Sequence, residues 1–337
     1  MSADDDLAMD VVAAEKLKCC ASCGVAEIDD IKLKPCPKCD LVEYCSDECQ
    51  DEHRHIHEAA CMKRVAELHD EILFKQPESS HLGDCPICYL PMPHELGAFV
   101  VETCCSQITC LGCSHASQHP VLEGGTRNRC PFCRHVVSRT DEEIAKLNME
   151  RAKLDDPIAL QALGMLNWFH EDHDEAFQCL NRAAALGDSE STFDLSLMYH
   201  DGVGVERDKE KERFFLEKAA IAGHLEARFK LGHFELDCER PDRAVKHWII
   251  AATLGHDQSI KVLKLCYEHG CLSKQDFAAV LRAFQAAVDA LQSPHRTAAA
   301  ADKYYTRKYL KRIDGKESCN PKRKTSMQCK VCEINNA

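Results

Sequence analysis

The distribution of cysteine constrains this chain most. Sixteen of its 23 cysteines fall between Cys19 and Cys133, and most come as close pairs. Two intervening residues separate Cys20 from Cys23, Cys36 from Cys39, Cys85 from Cys88, Cys110 from Cys113 and Cys130 from Cys133. Such a pair sits on one tight turn and offers two thiolates to one tetrahedral ion. Three intervening residues, as in Cys45 to Cys49 and His57 to Cys61, put two ligands on one face of a helical turn. The alternative use of paired cysteines is a disulfide framework behind a signal peptide. The chain opens on Met-Ser-Ala-Asp-Asp-Asp with no apolar core to that segment, and no apolar run is long enough to span a membrane. The expectation is therefore a cytoplasmic or nuclear protein without membrane attachment, whose cysteines bind Zn2+.

Residues 20–61 form the first module. Cys20, Cys23, Cys36, Cys39, Cys45, Cys49, His57 and Cys61 supply eight ligands, enough for two closed sites. Cys20 rather than Cys19 gives the spacing to Cys23. The run Tyr44-Cys45-Ser46, then Cys49-Gln50, then His57 and Cys61 resembles the MYND zinc finger. The resemblance implies a cross-brace, with Cys20, Cys23, Cys45 and Cys49 on one ion and Cys36, Cys39, His57 and Cys61 on the other. Arg54 stands where such fingers often carry Trp, which weakens the family's expectation of proline-rich peptide binding. His53 and His55 read as solvated helix residues. The preceding residues 1–19 read as a disordered acidic N-terminus.

A helical linker is expected over 62–84, with its helix at Met62–Lys75 and a break at Pro77. The second module, 85–134, has Cys85 and Cys88 at one end, Cys130 and Cys133 at the other, and Cys104, Cys105, Cys110 and Cys113 between. This order resembles a RING finger. The resemblance implies one ion on Cys85, Cys88, Cys110 and Cys113. The second would take Cys130 and Cys133 plus two ligands from the middle. The family's fourth position falls on Gln107, so Cys104 and Cys105 are expected to serve together, with His115 the lesser substitute. Ile87, Pro131 and Arg134 match residues with which RING ligases hold a ubiquitin-conjugating enzyme. Leu122 is the stand-in for a bulky residue of the family.

Thr140-Asp141-Glu142-Glu143 is a capping box that opens a linker helix at 140–155. Over 156–293 a mark recurs every 32 to 36 residues: Ala183-Ala184 before Gly187, Ala219-Ala220 before Gly223, and Ala251-Ala252 before Gly255. A period in the thirties means helical hairpins stacked on their neighbours. With Gly202-Val203-Gly204-Val205 in a loop, the pattern resembles Sel-1-like repeats: three units and a degenerate fourth. Trp168, Trp248, Phe177, Phe215 and Phe229 are candidate core residues. His200, His233 and His256 receive no role.

The fold class expected is mixed: two small zinc-stabilised cross-brace modules followed by an all-α solenoid of helical hairpins. The formal net charge of −13 argues against nucleic acid as a partner. Only the tail, 294–337, turns basic, with Pro321-Lys322-Arg323-Lys324 similar to a nuclear import signal and Cys329 and Cys332 as a lone pair. No P-loop, GxSxG or HExxH is present, and the RING resemblance implies a mechanism of positioning with no nucleophile from this chain. The functional expectation is a RING-type ubiquitin-protein ligase that positions a conjugating enzyme against an unknown substrate. The alternatives are a non-catalytic zinc-finger scaffold and a transcriptional co-regulator.

Overall fold

A computed structural model describes residues 18–27, 30–95, 97–118, 129–137 and 140–302. The acidic start at 1–17, Leu122, and the tail from 303 with its basic cluster and Cys329–Cys332 pair lie outside the described residues. The chain divides into two units, 1–73 and 74–337.

In the first unit, β1 (Lys34–Pro35) pairs antiparallel with β2 (Glu43–Tyr44), and α1 (Asp47–Leu73) follows. The segment expected to begin a separate linker helix at Met62 instead continues α1. No Gly or Pro interrupts residues 47–73, so nothing breaks the ladder after Cys61. The core here is the ligands themselves: Cys20, Cys36, Cys39 and Cys61 are buried around Tyr44.

The second unit begins with an extended strap. The Phe74 ring lies 4.7 Å from His247, beneath the Arg243 and Lys246 cations at 4.8 and 5.2 Å. Thr253 donates to Gln76, and the His81 N–H donates to the Gly223 carbonyl at 3.1 Å. Gly223 has φ +87°, and a Cβ there would stand 2.8 Å from the Ser79 carbonyl oxygen, so only glycine suits the turn and the strap together.

Next come the hairpin of β3 (Phe99–Glu102) and β4 (Gln107–Cys110), then α2 (Leu111–Gln118). Helix α3 (Asp141–Ala152) leads to four helical hairpins. They are α4 (Pro157–Phe169) with α5 (His173–Ala185), α6 (Ser189–Asp201) with α7 (Lys209–Ile221), α8 (Leu225–Asp237) with α9 (Pro241–Thr253), and α10 (Asp257–Glu268) with α11 (Lys274–Ala290). Each helix packs on the next along the array. Trp168, Leu180, Leu195 and Met198 form one core cluster, and Trp248, Leu263 and Val280 another, with Phe177, Phe215 and Phe229 packed at their edges. Each large side chain removed from water contributes about 1.5–3 kcal/mol. The last helix among the described residues, α12 (Pro294–Ala301), returns to α2. At Gly112 an added Cβ would lie 2.6 Å from the Arg296 backbone nitrogen, so the two helices meet where no side chain fits.

Candidate metal centres

Four turns share one construction. In each, the residue four after the first cysteine donates its N–H to that cysteine's carbonyl: Gly24 to Cys20 at 2.9 Å, Asp40 to Cys36 at 3.2 Å, Tyr89 to Cys85 at 2.8 Å and Arg134 to Cys130 at 3.0 Å. All four donors lie in the left-handed region, with φ of 75°, 55°, 55° and 60°. For the non-glycine residues this costs about 1–2 kcal/mol each. The turn is closed from outside by a bond from the first cysteine's own N–H to a residue five or six further on. The result points both thiols of each pair the same way.

These turns bring the cysteines into four groups whose ligand atoms lie within 4.8 Å of one another. Cys20 and Cys23 meet Cys45 and Cys49. Cys36 and Cys39 meet His57 and Cys61. Cys85 and Cys88 meet Cys110 and Cys113, while Cys104 and Cys105 meet Cys130 and Cys133. In both modules the first pair in sequence joins the third, and the second joins the fourth, which is cross-brace connectivity. Zn–S bonds near 2.3 Å in a tetrahedron set sulfurs about 3.8 Å apart. The separations of Cys23–Cys45, Cys36–Cys61, Cys88–Cys110, Cys105–Cys130 and Cys104–Cys133 are 3.5, 3.9, 3.9, 3.6 and 3.3 Å. Cys39 Sγ lies 3.1 Å from His57 Nε2. The donor sets fit zinc in number, type and spacing.

The thiols differ in acidity within each group. Burial pushes Cys20 up, but the N–H groups of Cys23, Cys45 and Ser22 bring it down to about 6. Cys85, also buried, is brought to about 7 by the N–H groups of Cys110, Cys88 and Ile87. Sharing a proton with Cys23 and Cys49 pushes Cys45 up to about 12, and burial beside Cys39 and Cys36 raises Cys61 to about 11. Burial likewise raises Cys104 and Cys113. Each group thus sets one thiol of lowered pKa, Cys20, Cys36, Cys85 or Cys133, beside at least one of raised pKa. A divalent cation takes the place of the thiol protons, which couples ion binding to proton release.

A residue from the far end of the chain touches the third group. Arg296 on α12 directs Nη2 to Cys88 Sγ at 3.6 Å and to the Leu90 carbonyl at 3.4 Å, while Nη1 donates to Leu291 O at 2.9 Å. Burial lowers the guanidinium pKa, but the neighbouring Cys110 and Cys88 sulfurs outweigh it and push it up. His115 is not in any group; its Nε2 lies 3.2 Å from Asp302. Gln107 is exposed on β4.

Of the candidate contact residues, Ile87 is 39 % exposed between two ligands, and Pro131 and Arg134 are exposed on the Cys130 turn. Several histidines depart from the sequence reading. His53 is not simply solvated: its Nδ1 lies 3.1 Å from the Tyr44 hydroxyl and its ring runs parallel to His57. His55 is exposed. His200 pairs with Glu212 at 2.8 Å, and His233 packs edge-on against Phe229.

His224 and His256, both buried, cap helices. Nδ1 of His224 accepts the Ala227 N–H, which leaves the proton on Nε2 facing Glu190 at 2.9 Å. His256 repeats this on Ser259 and Glu226. Each clasp ties one hairpin to the glutamate of the previous one. The residue right after each repeat glycine, with Glu two positions on in the previous copy, was the available signal. His81 joins His224 and Glu190 in a fifth group of potential ligand atoms. With both nitrogens of His224 engaged, His224 has no lone pair to offer an ion, and only His81 and Glu190 remain as donors in that group.

Comparison with known proteins agrees with part of this layout. Residues 20–61 match the family model described as the MYND finger, and residues 170–188, 189–224 and 225–256 match the Sel1 repeat. The chain therefore carries a MYND finger and Sel1 repeats; neither match extends over 85–134. No curated protein matches. Among solved structures, a Sel1 repeat protein from Oxalobacter formigenes is 26% identical, with 35% of this chain and 94% of that one covered and a TM-score of 0.32. The protective antigen c5321 of uropathogenic Escherichia coli, with an SLR fold, is 18% identical, with 56% of this chain covered and a TM-score of 0.36. This chain spans 38% of the length of c5321.

Proposed function

We propose that this chain is a zinc-dependent protein-interaction scaffold, and that its 85–134 module recruits a ubiquitin-conjugating enzyme as a RING-type ubiquitin-protein ligase does. The observation that carries the reading is the grouping of sixteen ligands into four sets of four, interleaved as a cross-brace in both modules. A closed set of four leaves no position for a substrate, so the ions shape the surface and take no part in chemistry. Zinc, when bound, supplies the cross-links that hold the turns. The repeats supply an extended surface for partners.

The ligase reading rests on Ile87, Pro131 and Arg134. An apolar side chain exposed on a rigid turn suits an interface anchor. Arg134, held at φ 60° by its N–H bond to Cys130, offers a guanidinium to the conjugating enzyme and ubiquitin together. The chemistry asked of this chain is positioning alone. The test is discharge of ubiquitin from a panel of charged conjugating enzymes by the full chain. Ile87→Ala is expected to abolish recruitment at unchanged zinc content. Arg134→Ala is expected to keep recruitment and slow discharge. No discharge with any conjugating enzyme leaves the non-catalytic scaffold, in a reducing cytoplasmic or nuclear setting, as the reading in force.

A further inference from the structure

A cleft of about 710 Å³ opens in the second unit, between the β3–β4 hairpin and the first helical hairpins. Its size is that of sites that enclose small ligands or short peptide segments. The floor is apolar: Val137, Ile144, Ile158, Met165 and Leu186 line it. At one end stand His81, Asp188 and Glu190. Among the described lining residues there is no Lys or Arg, so the cleft is acidic wherever it is charged.

Two groups in its wall have unmet hydrogen-bonding capacity. His81 is about nine-tenths buried, and neither of its ring nitrogens has a hydrogen-bond partner. Its Nε2 stops 3.5 Å from Glu190 Oε2, and its ring stacks on His224 at 4.3 Å, so packing fixes it in place. A buried imidazole that makes no hydrogen bond is costly, and a bound group that hydrogen-bonds it recovers that cost. The second is β3 itself, whose residues Phe99 to Glu102 all line the cleft. The Leu111 N–H bonds the Ala98 carbonyl and the Ser106 N–H bonds the Glu102 carbonyl, so Ala98, Val100 and Glu102 face β4. By the alternation of an antiparallel ladder, Phe99 and Val101 direct their N–H and C=O groups to the other edge. No strand pairs with that edge among the described residues. An open edge beside apolar pockets and an oppositely charged end is the arrangement by which sheets take up extended peptides.

We propose that an extended segment of a partner protein adds to β3 in this cleft, seating an apolar side chain on the Ile158–Met165 floor and a neighbouring Lys or Arg against Asp188 and Glu190. The proposal deepens the scaffold reading by naming a partner class, and it is independent of the ligase reading. The four residues of β3 set the paired length at about four, a span of roughly 13 Å. His81 hydrogen-bonds the incoming backbone.

The test uses the full, zinc-loaded chain and a random nine-residue display library. Selected sequences are then made as fluorescein-labelled peptides and titrated by anisotropy. Enrichment of a basic residue beside an apolar one is expected, with affinity falling at least tenfold in Met165→Trp, which fills the floor. Ser189→Lys, which adds a cation to the acidic end, is expected to weaken binding by a similar factor. Zinc content and thermal midpoint show whether each variant still folds. A second arm leaves the protein unaltered: N-methylation of alternate peptide residues should abolish binding, while methylation of the residues between should not. Selection of no peptide overturns the proposal. So does a selected peptide that ignores both variants and every N-methyl group, although the scaffold reading then stands. A dimer that Met165→Trp dissociates would give the cleft to a second copy of this chain and overturn it as well. Ubiquitin discharge is read separately and decides only the ligase reading.

Discussion

The MYND finger and the Sel1 repeats of one chain are held by opposite means. In 20–61 the buried cluster is Cys20, Cys36, Cys39, Cys61 and Tyr44, so the core is mostly the ligand set. In the repeats it is Trp168, Leu180, Leu195, Met198 and their equivalents around Trp248. The finger's buried core is thus mostly thiol and imidazole, whereas that of the repeats is apolar side chains. Chelation breaks the comparison most directly. Structural zinc contributes about 10–16 kcal/mol of folding energy at a site of this kind. A chelator with a thiol-blocking reagent should release about four ions per chain and expose α1 and the Cys turns to protease. A fragment covering roughly residues 156–290 should persist. Release of only two ions would mean that one module is not a cross-brace. Simultaneous loss of the repeats would show that they too depend on metal.

The converse experiment removes apolar core. Leu180 is fully buried against Ala176, Leu195 and Met198, and Gly164 faces it closely. Leu180→Ala should lower stability by about 2–5 kcal/mol through lost burial and the cavity left behind. The thermal midpoint of the repeats is the readout. Zinc content should not change, and a loss of ions would erase the distinction between the two regions.

Much of this contrast was legible in the residue order. Ligand spacing predicts the turns because each pair is local, and the Ala-Ala-x-x-Gly period predicts the hairpins because each repeat is local too. Cys104 and Cys105 in place of the family's pattern followed from Gln107 being no ligand. What stayed hidden depends on contacts between distant segments. The pairing of His256 is not local, because its carboxylate, Glu226, lies 30 residues away in the previous hairpin, as Glu190 lies 34 residues from His224. The helix expected over Met62–Lys75 is the second half of α1, because no helix breaker separates it from the turn that carries His57 and Cys61. Nothing local announces that Arg296 reaches the Cys88 sulfur 208 residues earlier.

That reach sharpens the comparison, because it makes a metal group depend on a helix outside its module. Hydrogen bonds to a charged group contribute about 1.5–3 kcal/mol. Arg296→Met should therefore speed ion release from one of the four sites about tenfold or more, read with a chromogenic chelator. Arg296→Lys should restore part of the effect through charge alone. Equal release from all four sites in Arg296→Met would show that α12 does not act on the third group.

The smallest effect expected lies in the repeats and involves no metal. His247 is fully buried, and burial lowers its pKa to about 3, with Arg228, Arg243 and Lys246 adding cationic repulsion. In the unfolded chain the same imidazole titrates near about 6.5. Between those values the unfolded state binds a proton that the folded state refuses. Stability is therefore full above about pH 6.5 and falls as the pH drops toward 3, by at most about 1.4 kcal/mol per pH unit. His94, lowered to about 4 mainly by burial and by His256, acts in the same sense. Carboxylates titrate in the lower part of this window, so the informative quantity is a difference between proteins. His247→Gln keeps a polar side chain in place and removes the titration. It should be less stable than the parent at pH 7 yet lose less between pH 6.5 and 5, so that the two stability curves converge. Parallel curves would mean that His247 takes up its proton without unfolding the repeats around it.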